Sequence, residues 1–270
     1  MLPLFDTIPS RTFPFINWVI IVACILIFLA QVRDQNDGQS QLVEEYGMIP
    51  QRVLHPAEPV VIREEVILQT PAGYQRGIRE HEAAPISFNP WWTLLTCVFL
   101  HGGWLHVIGN LWMLRIFGDN VEDCFGHWGY VLFYLLCGVV ASLTHLLTNM
   151  GSTMPTIGAS GAIAGVMGAY MVLYPRAQVI ALVPILFFLQ VMTLPAPLFL
   201  GLWFVMQFFS GVAAITSMEA AGVAWWAHIG GFLTGMLLAW ELKRTRRVEP
   251  QSTRRIPDDQ RYRLYRYGQW

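Results

Sequence analysis

The sequence is dominated by long apolar runs that alternate with short polar segments. A helix needs about 20 apolar residues to cross a bilayer, and several runs reach or approach that length. They are residues 14–32, 93–116, 128–149, 157–174, 196–216 and 223–241. The fourth and sixth runs are short, as expected of helices that begin below the membrane surface at a polar cavity. The pattern predicts an all-α membrane protein built as a bundle of six transmembrane helices.

One further apolar stretch, residues 178–194, contains Pro184 and is followed by Pro195 and Pro197. Proline removes a backbone donor and ends or kinks a helix. We therefore interpret this stretch as an interfacial or re-entrant piece. The alternative is a seventh span, which would place Arg176 and the basic tail on opposite sides of the membrane.

The basic residues that follow the spans predict how the bundle is oriented. In a six-span topology, one side of the membrane carries Arg115, Arg176, Lys243, Arg244, Arg246 and Arg247. Both termini are therefore predicted to be cytoplasmic. The chain divides into a short N-terminus (1–13), a membrane domain (14–241) and a basic tail (242–270).

The long loop 33–91 is inserted between the first two spans and is extracytoplasmic in this topology. It is acidic on balance and rich in Pro, Gln and Glu. Residues 60–62 and 66–68 within it predict short strands.

The composition agrees with a membrane protein, since 54% of the residues are hydrophobic and 13% are charged. A soluble domain usually has about 25% charged residues. The formal net charge of −1 does not indicate nucleic-acid binding. The cysteines lack metal-ligand spacing and are predicted to be buried thiols rather than disulfides. The N-terminus lacks the pattern of a cleaved signal peptide, so the first run is predicted to remain as a span.

Two of the predicted spans contain a polar residue of a catalytic type. Ser160 lies in the sequence GASG (158–161), and His228 lies in AHIGG (227–231). Polar groups at membrane depth face the protein interior or a cavity, and a histidine can activate a serine nucleophile. The alternative interpretation is that the glycines only allow close helix packing and that His228 is a structural hydrogen-bonding residue.

Glycines on both spans would allow Ser160 and His228 to meet. Gly161 follows the serine, and Gly231 and Gly235 follow the histidine on one face of its helix. Ser160 itself is predicted in a first helical turn, where free backbone N–H groups can hold an oxyanion. No acidic residue stands near His228 in the sequence, so a Ser-His dyad is preferred to a triad.

A third polar cluster consists of His106 and Asn110, which lie one turn apart on the same helix face. Their side chains can donate hydrogen bonds to an oxyanion. With His101 they could instead be ligands of a metal. Because asparagine is a poor ligand for transition metals and no carboxylate or thiolate is suitably spaced, we predict no metal.

The sequences GASG (158–161), HVIGN (106–110) and AHIGGFLTG (227–235), in their positions on the spans, resemble a rhomboid intramembrane serine protease over roughly residues 90–240. The resemblance implies that Ser160 is the nucleophile and that His228 is the general base and then the acid. It also implies that the oxyanion is held by the Ser160 backbone N–H and by the His106 and Asn110 side chains. Supporting positions are His101, Gly158, Gly161, Gly231, Gly235 and Glu122, the last matching a structural glutamate.

Rhomboid proteases cut transmembrane proteins in or near the span and use no metal or cofactor. They favour small residues at the cut and helix-destabilising residues beyond it. The resemblance therefore implies transmembrane substrates in the lipid bilayer and no nucleic-acid partner. We predict a multi-pass protein of a bacterial plasma membrane.

Two positions depart from the family pattern. Thr93 follows Trp92 where many members have arginine, and Ala164 replaces an aromatic residue that stacks on the catalytic imidazole in some members. Neither position performs the chemistry, but the second leaves open how His228 is oriented. The fifth span, 196–216, is a candidate lateral gate because it is flanked by proline and carries bulky aromatic residues.

Two other classes of protein remain as alternatives. One is an inactive rhomboid-like protein that binds membrane clients, which is weakened because the serine, the histidine and the oxyanion donors are all present. The other is a small transporter with a polar site at mid-membrane. The sequence has neither the inverted repeat nor the paired broken helices of many transporters.

Overall fold

The computed structural model describes residues 1–36, 39–70, 73–185, 188–216, 224–248 and 250. Its helices, in chain order, are α1 (Phe15–Asp34), α2 (Gln41–Tyr46), α3 (Pro50–Leu54), α4 (Thr93–Thr96), α5 (Trp104–Thr148), α6 (Ser160–Leu173), α7 (Ala196–Thr216) and α8 (Trp225–Arg244). Its strands are β1 (Leu2–Asp6), β2 (Gln35–Asn36), β3 (Gln39–Ser40), β4 (Val61–Thr70), β5 (Gly73–Glu82), β6 (Gln178–Ile185) and β7 (Phe188–Pro195).

Within the described residues, three helices have the length and apolar composition needed to cross a bilayer. They are α1, α5 and the segment Ala196–Ala213 of α7. At 1.5 Å per residue, α5 would be about 68 Å long if straight, roughly twice the thickness of a hydrocarbon core. Gly126 divides α5, because its backbone is not helical (φ 69°, ψ 162°). A positive φ of this kind is readily adopted only by glycine.

The chain reverses direction at Gly126, so the two halves of α5 run antiparallel. Cys97, just before α5, has its Sγ 3.3 Å from the Oγ of Ser142 near the far end of the helix. Closer to the turn, Tyr130 donates a hydrogen bond to the Asn17 side chain. Counting these two halves separately, the described residues contain six apolar helical segments near the positions of the six apolar runs.

These six segments alternate between two ends of the bundle, which we call the Gly126 end and the His101 end after the residues that lie there. Helix α1 begins at the Gly126 end and finishes where Gln31 binds the backbone of His101. Helix α6 returns to the Gly126 end, where Tyr174 donates to the carbonyl of Asn120. The loop between α1 and α5 is therefore at the opposite end from β1 and from the end of α8, where Lys243 donates to the carbonyl of Val172.

Helix α6 lies at the centre of the bundle. All of its residues from 161 to 170 are buried, which agrees with a helix that is apolar on every side and covered by neighbours. The second half of α5 and helix α8 pack against it. Ser160, the first residue of α6, is thereby placed at the base of the loops at the His101 end.

The start of the second span differs from the prediction. Instead of one helix from residue 93, short helical turns cover Pro90–Trp92, α4 and Cys97–Phe99, and α5 begins only at Trp104. Leu100 is extended (ψ 154°), and Gly103 has φ 157°, so the chain cannot continue as a helix. His101 consequently lies before α5, in the break, and not on the helix with His106.

The prediction of an all-α protein is also wrong outside the spans. Within the apolar stretch 178–194, the strands β6 and β7 pair antiparallel, and the N-terminal strand β1 pairs with β6, which gives the order β1-β6-β7. The β-branched residues of β6 and the absence of a donor at Pro184 favour this arrangement over a helix. In the loop 33–91, β4 and β5 pair from Val61↔Glu82 to Thr70↔Gly73, a longer hairpin than the short strands expected.

Glu122 caps the first residues of α1 from across the bundle. Its carboxylate accepts hydrogen bonds from the backbone N–H of Ile16 (2.9 Å) and of Asn17 (2.7 Å). His127 also contacts this carboxylate. The negative charge lies at the positive end of the α1 dipole and satisfies donors that a helix start leaves free. Glu122 therefore fixes where α1 begins relative to the turn at Gly126.

The N-terminal arm is anchored at the same end of the bundle. Asp6 accepts hydrogen bonds from the side chains of Asn120 and Tyr170. Burial raises the pKa of the Asp6 carboxyl well above its usual value, because a charged carboxylate is poorly solvated in the protein interior. The arm thus links β1 to the centre of the bundle.

Replacing Glu122 with alanine should lower the free energy of unfolding by about 3 kcal/mol, because one buried and one partly buried backbone donor lose a charged acceptor. Thermal unfolding in detergent measures the change. Glu241→Ala is the matched control, since Glu241 is exposed and pairs with Arg244 one turn later, and its midpoint should equal that of the wild type. Equal midpoints for the two variants would contradict the capping role.

Candidate active site

The backbones of α6 and α8 are in direct contact next to the site. A Cβ atom added to Gly231 would collide with the carbonyl oxygen of Gly161, and one added to Gly235 would collide with that of Gly165. Small residues at such crossings let membrane helices approach closely. The two helices therefore meet along a strip that admits no side chain.

This contact brings the serine and the histidine together. The Nε2 atom of His228 lies 2.7 Å from the Oγ atom of Ser160, which is the distance of a hydrogen bond. Ser160 begins α6 and His228 lies in the first turn of α8. The imidazole is 9% exposed. Proton transfer between these two atoms requires no rearrangement of the helices.

His106 lies on the other side of Ser160, and its hydrogen bond defines its tautomer. The backbone N–H of Gly102 donates to His106 Nδ1 (3.2 Å), so in the neutral ring the proton is on Nε2. That Nε2 atom points at Gly158, where an added Cβ would lie 2.9 Å from it and 3.5 Å from Ser160 Oγ. With φ +133°, Gly158 adopts a conformation that favours glycine and leaves open the space between the donor and the serine.

Asn110 lies one turn after His106 on the same face of α5. It is 8% exposed, and its Nδ2 atom has no hydrogen-bond partner among the described residues. Leaving a buried donor unpaired is costly. An amide N–H that is held in place without a partner is suited to bind an oxygen that develops negative charge.

His101 supports this group from the break before α5. Its ring is 2% exposed and packs edge-on against His106, with 5.3 Å between the ring centroids. The side-chain amide of Gln31 binds the His101 backbone twice, accepting from its N–H and donating to its carbonyl, both at 3.0 Å. Among the described residues, no three His, Cys, Asp or Glu side chains are grouped to hold a metal ion.

A small cavity of about 20 Å³ adjoins Ser160. Such a volume is enough for one water molecule, which also needs polar partners. Ser142 and Thr156 line the cavity together with Ser160. The cavity beside the serine therefore has a mostly apolar wall that carries three hydroxyl groups.

Sequence reasoning missed the side chains that orient His228. Its Nδ1 atom lies 2.7 Å from Oε1 of Gln207 on α7. The rings of Trp203 and Trp225 lie 5.9 Å and 6.2 Å from the imidazole. Gln207 is an amide inside an apolar span, and polar residues there are functional candidates. The criterion that identified Ser160, a polar residue inside an apolar run, could also have identified Gln207.

The fold and site together define a multi-helix membrane protein with a buried serine–histidine pair. The family model described as the Rhomboid domain matches residues 89–245, more than half of the 270 residues. The chain therefore belongs to the rhomboid family, whose members are integral membrane proteins.

Three relatives illustrate the range of the family. RHOMBOID-like protein 5 of Arabidopsis thaliana is 26% identical over 167 residues, which cover 60% of this chain and 52% of the relative. Rhomboid protein 1, mitochondrial, of Saccharomyces cerevisiae is 28% identical over 175 residues, covering 61% and 45%. Rhomboid protease GluP of Bacillus subtilis is 37% identical over 90 residues, covering 33% and 17%.

The chain thus spans about half the length of the first two of these relatives. Because the relatives include mitochondrial as well as bacterial proteins, they do not favour the bacterial plasma membrane that was expected from the sequence. They leave the type of membrane open.

Replacing Gly231 with alanine should push α8 away from α6, because the new methyl group would overlap the carbonyl of Gly161. We expect a loss of about 1–3 kcal/mol of stability, as for other overpacked sites, and slower labelling of the protein by a fluorophosphonate. Gly201→Ala on α7 is the control, since a Cβ there meets nothing within 4 Å. If the two variants behave alike in thermal unfolding and labelling, close backbone contact is not required.

Proposed function

We propose that this protein is an intramembrane serine endopeptidase that cleaves transmembrane segments of other proteins with a Ser160–His228 dyad. The observation that carries the proposal is the distance of 2.7 Å between Ser160 Oγ and His228 Nε2. Support also comes from the named rhomboid protease among the relatives. The arrangement of donors around Ser160 favours this function over a binding role, which would not require them.

In the proposed reaction, Ser160 Oγ attacks the scissile carbonyl carbon while its proton passes to His228 Nε2. The carbonyl π electrons move to oxygen, and the oxyanion accepts hydrogen bonds from the Ser160 backbone N–H, His106 Nε2–H and Asn110 Nδ2–H. His228 then protonates the leaving amine as the C–N bond breaks. Water, deprotonated by His228, hydrolyses the acyl-enzyme and restores Ser160.

The proposed topology has six crossings, with the Gly126 end in the cytoplasm. Support comes from the alternating directions of the six segments and from the basic residues at that end, among them Arg176 and Lys243. Helix α6 has 14 residues, or about 21 Å against a hydrocarbon thickness of about 30 Å. Ser160 would then lie below the opposite surface by on the order of 10 Å.

This depth explains why the substrate is proposed to be a transmembrane segment. A carbonyl in an intact helix already accepts a hydrogen bond and is shielded by side chains. The substrate must therefore unwind locally, and in lipid the freed groups need partners. Segments with glycine or proline near the cut meet this requirement at lower cost.

The principal test compares the wild type with Ser160→Ala and His228→Ala on a panel of single-span substrates in liposomes. The wild type should cleave a subset of them and should be labelled by a fluorophosphonate. Ser160→Ala should lose both properties, because the attacking oxygen is absent, and His228→Ala should lose the base. Gly201→Ala, outside the site, serves as the folded and active control.

Labelling that persists in Ser160→Ala would exclude this serine as the nucleophile. A wild-type protein that binds single-span clients but neither cleaves them nor reacts with the probe would identify the alternative, an inactive rhomboid-like binding protein.

Replacing Asn110 with alanine tests the proposed oxyanion site. Loss of one such donor typically lowers turnover by about 10²–10³-fold, and KM should change little because the contact forms mainly in the transition state. Steady-state cleavage of one substrate gives both constants. Ile108→Ala, on the exposed side of α5, is the control, and a normal kcat for Asn110→Ala would exclude this role.

A further inference from the structure

We propose that Gln207 is a positioning residue that orients His228 and so makes the dyad depend on the docking of α7. The proposal rests on the proposed protease function. It answers a question that the sequence left open, since Ala164 stands where some rhomboids have an aromatic residue against the histidine.

A hydrogen bond joins the Gln207 side chain to the imidazole of His228. Gln207 Oε1 lies 2.7 Å from His228 Nδ1, and a carbonyl oxygen can only accept. The proton of the neutral imidazole is therefore on Nδ1, and Nε2 is left with a lone pair facing Ser160 Oγ. This is the tautomer that a general base for the serine requires. The opposite tautomer would present an N–H to the hydroxyl and could not remove its proton.

Gln207 points into the bundle, whereas its neighbours on α7 point outward. It is 8% exposed, whereas its neighbours Met206 and Phe208 on α7 are 49% and 44% exposed. A glutamine in an apolar span has a cost unless its amide finds a partner. On α7, this side chain is turned into the bundle and its oxygen is paired with the histidine.

Helix α7 contacts the His228 imidazole through two side chains, Gln207 and Trp203. Trp203 lies one turn before Gln207, and its ring is 5.9 Å from that of His228. The same indole is 6.0 Å from Phe232, one turn further along α8. The aromatic contact and the hydrogen bond therefore come from one face of one helix. Both contacts therefore form when α7 docks against α8 and break when it moves away.

Among the three described helices that are long and apolar enough to cross a bilayer, α7 is the least covered by the rest of the protein. In an apolar stretch of 18 residues, 28% of its residues are buried, compared with 33% in α1 and 39% in α5. An outward movement of this helix would separate Gln207 and Trp203 from His228. Displacement of α7 would thus leave the imidazole without its orienting acceptor, and its return would restore the active tautomer.

The test uses three variants of the full chain. Gln207→Met keeps the approximate volume of the side chain but removes the oxygen that accepts from His228. Gln207→Glu keeps the shape of the side chain, and its carboxylate oxygens can accept the same hydrogen bond. Met206→Leu, on the exposed side of the same helix, is the control. Fluorophosphonate labelling measures the reactivity of Ser160, and cleavage of a transmembrane substrate gives kcat and KM. Thermal unfolding is measured in parallel.

We expect Gln207→Met to lower both kcat and the labelling rate by about 10–100-fold, by analogy with residues that orient histidine ligands of metal ions, with KM unchanged. Gln207→Glu should recover most of the loss, and Met206→Leu should match the wild type. A purely structural role would instead lower the unfolding midpoint and would not favour a carboxylate over a thioether.

The inference is overturned if Gln207→Met labels and cleaves like the wild type. It is also overturned if Gln207→Glu, folded by its unfolding midpoint, is as slow as Gln207→Met, or if only KM changes. If the wild type is neither labelled nor active, the protease proposal itself fails and this inference fails with it. An active wild type with an active Gln207→Met variant rejects the role of Gln207 alone.

Discussion

The contact between the backbones of α6 and α8 is the constraint on which the site depends. In lipid, apolar side chains gain little by leaving the solvent, so helices associate through close packing and hydrogen bonds. The absence of a side chain at Gly161, Gly165, Gly231 and Gly235 allows this approach. It brings Ser160 Oγ to hydrogen-bonding distance of His228 Nε2. Because misplacement of reacting groups by about 1 Å can cost roughly 10²-fold in rate, the proposed activity would depend on the close approach that these glycines allow.

The buried polar groups of the protein fall into two sets. In the first set, each group is paired and holds an element in place, as Glu122 does for α1 and Gln31 does for the segment around His101. In the second set, a donor is fixed but left without a partner among the described residues, as Asn110 Nδ2 is. Since an unpaired buried donor costs stability, a free amide one turn after His106 is consistent with the proposed role of Asn110 as a donor to an oxyanion.

The sequence predicted most of the membrane-embedded part of the fold, because apolar length and glycine spacing follow directly from the requirements of lipid. Residues 196–216 became α7 with the expected bounds, and Ser160 begins α6 as expected. The hairpin β6–β7 was missed because its partner, β1, lies far away in the chain. The break at Leu100–Gly103 was missed because an apolar run conceals a change of backbone conformation. Likewise, a lone glutamine in a span gives no sign of which side chain it meets.

The position of Ala164 suggests why the histidine is oriented from α7 in this protein. Ala164 is fully buried, and neighbouring residues 161 to 170 of α6 are buried as well. A large ring at this buried position would have to displace the residues that are packed around it. The support for His228 must then come from the side of the ring that α6 does not cover. Helix α7 covers that side and supplies both an aromatic ring and a hydrogen-bond acceptor.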